Sequence, residues 1–394
     1  MKTTNENKIP IKSWVSDIED GALAQANNLA NLPFAFRHIA LMPDCHQGYG
    51  MPIGGVMATK GVIIPNAVGV DIGCGMCAVK TSLTDIDTDT LKKIMGEIRQ
   101  VIPVGFKKHK DCQDEKLMPD INYEELIIVN EEYSNARKSI GTLGGGNHFI
   151  EIQKGDDGHI WIMIHSGSRN LGKQVADYYN KKAKELNEKY YSKVEKDVDL
   201  AFLPIKSEEG QNYIKEMNYC VKFALANRKL MISRIQNIVY NVIKLNDGNH
   251  IKQQKIYFNK IINIAHNYAV QENHFRQNVW VHRKGATLAR QGTIGIIPGS
   301  QGTKSYIVEG LGNPESFESC SHGAGRRMGR KQAERELDLE EEQKKLEGII
   351  HSVRTKGDLN EAIGAYKDIE VVMENQKDLV KILVELTPLA VIKG

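Results

Sequence analysis

The sequence predicts an α+β fold, and three observations carry that expectation. Glycine concentrates in residues 48–75, 141–172, 285–312 and 323–329. Short apolar runs of strand length lie in and beside those stretches. Residues 173–245, by contrast, are almost free of glycine and rich in Lys, Glu, Ala and Tyr. Within them Met231, Ile235, Ile238 and Val242 recur at the spacing of one helix face. The segment 173–245 therefore reads as a helical insertion, a long hairpin packed beside the body that does the chemistry.

The strands follow in chain order. Phe149–Ile152 alternates as a half-buried strand does, with Phe149 and Glu151 on one face. Trp161–Ile164 and Ile261–Ala265 are compact apolar runs, each followed by a histidine, His165 and His266. Residues 326–350 form another helix candidate, charged and solvated through DLEEEQKKLE. Periods of 20 to 50 residues are absent, so the chain reads as one interleaved domain over 1–394.

Bulk properties exclude several classes. With 394 residues, 41% hydrophobic and 26% charged, the chain can bury a core as ordinary globular proteins do. A net charge of +3 makes any nucleic-acid site a local patch. Apolar runs fall short of the roughly 20 residues that span a bilayer. The opening MKTTNENKIPIKSW lacks a signal peptide's apolar segment, so the expected location is the cytoplasm. There, the six cysteines (Cys45, Cys74, Cys77, Cys112, Cys220, Cys320) read as buried thiols or metal ligands.

The chemistry-bearing residues sit in the glycine-rich stretches. In VGVDIGCGM, Asp71 and Cys74 lie three apart on a tight turn, able to reach one metal, or two if the sulfur bridges. A buried turn with an inert cysteine is the plainer reading of that pair. In GTLGGGNHFIEIQ, three glycines deliver Asn147 and His148 to a strand start; no Lys-Ser or Lys-Thr follows, so this is not a P-loop. IHSGSRNLG and IAHNYA place His165 and His266 at strand ends, with Arg169 and Asn267 close behind. Together Asp71, Cys74, His148, His165 and His266 would suit one or two divalent transition metals. Finally, His322 precedes Gly-Ala-Gly, with Arg326 and Arg330 four and eight residues on. A helix starting near 325 would set both arginines on one face as a phosphate fork. The motifs Lys-x-Asp-Gly, H-E-x-x-H and G-x-S-x-G are missing.

The strings VGVDIGCGM, GGGNHFIEIQ, HSGSRNLG, AHNYA, IPGSQGTKSYIV, CSHGAGRRMGR and PLAVIKG, in this order across 42–394, resemble the RtcB family of RNA ligases. The resemblance implies a single catalytic domain of mixed and antiparallel sheets. It implies two Mn2+ ions sharing Cys74, one also held by His165 and His266, the other by Asp71 and His148. His322 would take GMP from GTP, oriented by Asp44. Asn147 and Asn267 would lie by the nucleotide phosphates, and Ser300 would also bind the nucleotide. Phe149, Glu151, Ser305, Tyr366 and Lys393 would meet guanine, and Arg169, Arg326 and Arg330 would hold RNA-end phosphates. The substrates implied are RNA ends carrying 3′-phosphate or 2′,3′-cyclic phosphate and 5′-hydroxyl groups. A monomer is expected, and an activating protein partner stays open. Manganese follows from the family alone, since a thiolate with imidazoles binds zinc more tightly. Cys45, Gln47, Met51-Pro52 and Gln301 depart locally from the family pattern. Two other readings of the residues remain: a metal-dependent phosphodiesterase or phosphatase acting on RNA ends, and an RNA-binding protein without activity.

Overall fold

The computed structural model describes residues 1–246 and 256–394. Two sheets dominate. One has seven strands, all antiparallel, in the order Ile262–Ala265, Gly75–Lys80, Ile160–Ser166, Phe149–Gly155, Val380–Lys393, Ser305–Gly310, Ile294–Ile297. The other has six, in the order Lys2–Thr4, Ile11–Ser13, Ala35–Tyr49, Met51–Thr59, Gln277–Lys284, Asn267–His274. It is mixed, because Ile11–Ser13 runs parallel to Ala35–Tyr49. Helices and strands thus alternate irregularly, as an α+β fold requires.

Register explains how the seven-stranded sheet divides its side chains. Successive residues of a strand point to opposite faces. Ile150, Ile152, Ile162, Ile164 and Ile392 pack on one face with the helix stripe Met231, Ile235, Ile238 and Val242. Phe149, Met163, Trp161, Met76 and Val391 cluster on the other. Phe149 and Glu151 do share a face, but both faces of that strand are buried rather than one. A sheet covered on each side does not read as hydrophobic-in and polar-out.

The helical stretch divides into Leu171–Lys189 and Glu208–Asn246, which pack on each other. The second does more than flank the body. Its apolar stripe covers the seven-stranded sheet, so it forms the floor beneath the site. The 326–350 candidate is also revised. Only Arg330–Glu336 and Leu339–Lys344 are helical. Leu337 takes an extended conformation, and Asp338 caps the second piece by accepting from the Glu341 N–H. Among the described residues, no helix is long and apolar enough to cross a membrane.

Candidate active site

Four adjacent strands bring the candidate ligands to one sheet edge. Cys74 immediately precedes Gly75–Lys80, His148 precedes Phe149–Gly155, and His266 follows Ile262–Ala265. His165 is the penultimate residue of Ile160–Ser166. The cross-strand pairs Ala265↔Gly75, Met76↔His165 and Phe149↔His165 align these ends. Sequence-distant residues therefore meet because antiparallel neighbours start where their partners stop.

The donor atoms converge. Cys74 Sγ lies 3.5 Å from His148 Nε2 and 3.3 Å from His165 Nε2. His165 Nε2 is 3.4 Å from His266 Nε2, and His148 Nε2 is 3.3 Å from Asp71 Oδ2. The His165 Nδ1–H donates to the Asn147 carbonyl at 3.0 Å, which leaves its Nε2 as a bare lone pair. Burial pushes both His165 and His266 well below the ordinary imidazole range, so both rings are neutral. Burial alone would raise the Asp71 carboxyl, yet its hydrogen bond to His148 and those from Cys74 and Ser168 hold it well below the ordinary range. A carboxylate, a sulfur and three imidazole nitrogens face one another across short gaps. Donor atoms of Cys74, His148 and His165 all lie within 4.8 Å of one another, and the set fits a divalent metal.

Beneath these ligands lies an arginine that the sequence reading did not select. Arg228 of the long helix is fully buried. It donates to the carbonyls of Gly73 at 2.9 Å, Ser166 at 2.7 Å and Ile264 at 3.2 Å, and to Asn263 Oδ1 at 2.8 Å. Gly73 precedes Cys74, Ser166 follows His165, and Ile264 is two residues before His266. Its neighbour Asn227 ties the Gly141 and Thr142 N–H groups to the Gly167 carbonyl and the Ser166 hydroxyl. A buried guanidinium costs several kcal/mol unless its donors are all satisfied; here each nitrogen has an acceptor.

His322 sits where the two sheets meet. Asp44, on Ala35–Tyr49, is wholly buried, and its Oδ2 accepts from the His322 backbone N–H at 3.0 Å and from Nδ1–H at 2.5 Å. With the proton fixed on Nδ1, Nε2 keeps the lone pair a nucleophile needs. The ring lies 4.8 Å from that of His266. Glycines make this closeness possible. A Cβ at Gly325, whose φ is +73°, would stand 2.2 Å from the Asp44 carbonyl oxygen; one at Gly285 would stand 3.1 Å from His322 Cε1.

A cavity of about 740 Å3 opens over His322, Cys74, His165 and His266. Asn147, Phe149, Glu151, Ser300, Tyr366 and Lys393 line its seven-stranded side. Lys393 Nζ lies 5.7 Å from the Phe149 ring centroid. Burial raises the Glu151 carboxyl to about 8, against the pull of Lys393 and Gln153, and burial also lowers Lys393. Ser305 lies just behind, its hydroxyl accepting from Gln153, which also bonds Glu151 at 2.7 Å.

Four expected positions differ in detail. Asn267 reaches the cavity wall, but its side chain ties loops, accepting from the Gly285 N–H and donating to the Asp71 carbonyl. Arg169 does not line the cavity; its guanidinium is held by Thr142 and the Gly105 carbonyl behind His148. Arg326 and Arg330 share no helix face, since Arg326 precedes the helix. Both instead bind Glu361, at 3.1 and 2.7 Å, and the Tyr366 hydroxyl donates to the same carboxylate. Burial opposes ionisation of Glu361, but Lys393, Arg326 and Arg330 outweigh it and keep it charged. Glu361 carried no motif, so nothing in the sequence marked it. Arg228 did leave a trace: with Asn227 it interrupts an otherwise apolar helix stripe.

Comparison with known proteins bears on this site. The profile of the family described as tRNA-splicing ligase RtcB matches residues 25–127 and 121–394. The RNA-splicing ligase RtcB of Escherichia coli K12 is 39% identical over 99% of this chain and 98% of its own length. The tRNA-splicing ligase RtcB of Nanoarchaeum equitans is 33% identical over 98% and 95%. An RNA-splicing ligase RtcB homolog of Entamoeba dispar is 32% identical over 94% and 83%.

Proposed function

This chain belongs to the RtcB family, and from that premise we propose that it is an RNA ligase of tRNA splicing or RNA repair. Its reading in detail is a GTP-dependent enzyme joining RNA 3′-phosphate or 2′,3′-cyclic phosphate ends to 5′-hydroxyl ends, working as one domain in the cytoplasm. The observation that carries this is the Asp44–His322 pair beside the ligand cluster. A tautomer-fixed imidazole whose free nitrogen opens into a nucleotide-sized cavity is the equipment of a covalent nucleophile.

In this reading His322 Nε2 attacks the α-phosphorus of GTP, pyrophosphate leaves, and GMP is held on the histidine. Asp44 keeps the proton on Nδ1 and stabilises the ring as charge develops. An RNA 3′-phosphate oxygen then attacks the GMP phosphorus, His322 departs, and the RNA end carries a diphosphate-linked guanosine. A 5′-hydroxyl attacks the terminal RNA phosphorus and GMP leaves. Phe149 and Lys393 give guanine a flat, cationic wall, while Glu151 and Ser305 offer acceptors to its edge. Arg326 and Arg330, pre-aligned by Glu361, face the phosphates. Cys74, His165 and His266 would hold one Mn2+ ion and Cys74, Asp71 and His148 a second. When bound, these ions would offset negative charge on the reacting phosphates.

The test is intact-protein mass after incubation with GTP and Mn2+. Wild type should gain one GMP and His322→Ala none. A folded, metal-loaded wild type that gains nothing would favour the RNA-end phosphodiesterase reading.

A further inference from the structure

Asp44 acts from a broken stretch of sheet. The pairing of Ala35–Tyr49 with Met51–Thr59 shifts register between Leu41 and His46, so no regular ladder holds the backbone around Asp44. The side chain gives itself little help. Its Oδ2 takes both hydrogen bonds from His322, while Oδ1, though buried, has no hydrogen-bond partner among the described residues. A carboxylate gripped through one oxygen owes its aim to whatever fixes its main chain.

Lys367 supplies that hold. Its Nζ donates to the Cys45 carbonyl at 2.5 Å and to the Pro43 carbonyl at 3.4 Å, one on each side of Asp44. Its backbone N–H donates to the Gly325 carbonyl at 2.9 Å. Gly325, in the turn after His322, packs directly on the Asp44 backbone. One residue therefore grips both partners, Asp44 by its side chain and the His322 turn by its main chain. Its neighbours continue the grip. The Arg327 N–H donates to the Ala365 carbonyl at 3.0 Å. Gln376, wholly buried, accepts from the Ser321 N–H at 3.0 Å and donates to the Ser321 hydroxyl at 2.5 Å. Residues 365–376 thus bracket 321–327, and Lys367 reaches from them to the six-stranded sheet. A partly buried ammonium set on main-chain carbonyls, with no ion pair among the described residues, costs desolvation. The placement of Asp44 is what that cost secures.

We propose that Lys367 is the positioning residue of the Asp44–His322 pair. It touches neither the nucleotide nor the candidate metal ligands. It acts through Asp44, holding the carboxylate where one oxygen meets both the backbone N–H and the Nδ1–H of His322. Without it the strand around Asp44 relaxes, the imidazole loses its fixed tautomer, and Nε2 no longer faces the cavity as a constant lone pair.

The experiment follows GMP labelling by rapid quench, with GTP and Mn2+. Lys367→Met keeps the stem and removes the donors; its labelling rate should fall roughly 10²-fold, as a misplacement of about 1 Å does. The KM for GTP and the metal content should stay as in wild type, and Lys367→Arg should recover most of the rate. Placed on Asp44→Asn, the same change should slow labelling no further, because it acts through that carboxylate. A wild-type rate in Lys367→Met overturns the proposal, and so does a full further loss on Asp44→Asn. Should Lys367→Met not fold, Lys367→Gln, which can still serve one carbonyl, carries the same comparison. Labelling rests on the ligase reading, so a second readout stands apart from it. The low-field NMR proton of the 2.5 Å bond from His322 Nδ1–H to Asp44 should shift or broaden in Lys367→Met. If wild type never labels, the ligase reading fails; a moved proton then sustains the role of Lys367, and an unmoved one overturns it.

Discussion

The two sheets that meet at the site position their residues by different means. The seven-stranded sheet does it by register: four neighbouring strands end together, and Arg228 pins three of the ends from below through backbone carbonyls. The six-stranded sheet does it through one residue, Asp44, whose carboxylate and carbonyl each fix an imidazole. Distributed support tolerates the loss of any one contact better than a single anchor does. Damage to the first sheet should therefore appear as graded loss of metal, and damage to the second as loss of chemistry with metal retained.

Substitutions can break or sharpen that contrast. Cys74→Ala removes the one donor within reach of both His148 and His165, and should abolish metal-dependent GMP labelling; near-normal labelling would defeat a shared-ligand site. Asp44→Asn should cut the labelling rate roughly 10³- to 10⁴-fold by releasing the wrong tautomer, with metal content by mass spectrometry unchanged. Loss of metal in that variant would mean the two sheets are not separable. Arg228→Met should weaken metal binding about 10- to 100-fold, as loss of outer support does elsewhere. Titration calorimetry reads that directly, and the spectrum of Co2+-substituted protein would report distorted thiolate ligation.

The smallest expected effect is on pH. Glu151 is raised to about 8 by burial, so without nucleotide it is protonated at neutral pH. Guanine offers N–H donors, which favour the carboxylate, so binding should release a proton. GTP affinity should then rise with pH, by at most about tenfold per unit, and level off above that value. Calorimetry in buffers of different ionisation enthalpy would detect the proton, and a flat profile would remove Glu151 from the guanine contact.

How much was legible follows the same division. The candidate ligands that converge at the sheet ends stood out because each stands beside glycine or at the end of an apolar run, where side chains enter clefts. Helix face Met231–Val242 was visible from its period, since packing against a sheet demands one. What the helix does was not: Arg228 and Asn227 interrupt the apolar stripe, but most of the groups they bind are backbone carbonyls and N–H groups, which the sequence does not single out. Glu361 was hidden likewise: a lone buried glutamate becomes meaningful only when two arginines and a tyrosine reach it. The helix expected across 326–350 failed at Leu337, where local capping by Asp338 overrode composition.

One residue, His266, is all that separates the strand Ile262–Ala265 of one sheet from Asn267–His274 of the other. The joint has no slack. Any tilt of the six-stranded sheet against its neighbour is transmitted to that imidazole without a loop to absorb it. An extra residue there would invert the strand that follows, turning Glu272 and His274 from the interior to the outside. The joint is thus a gauge as well as a link: alignment of the two halves is read at a candidate ligand itself, and on the proposed reading a misassembled molecule would announce itself by failing to hold metal.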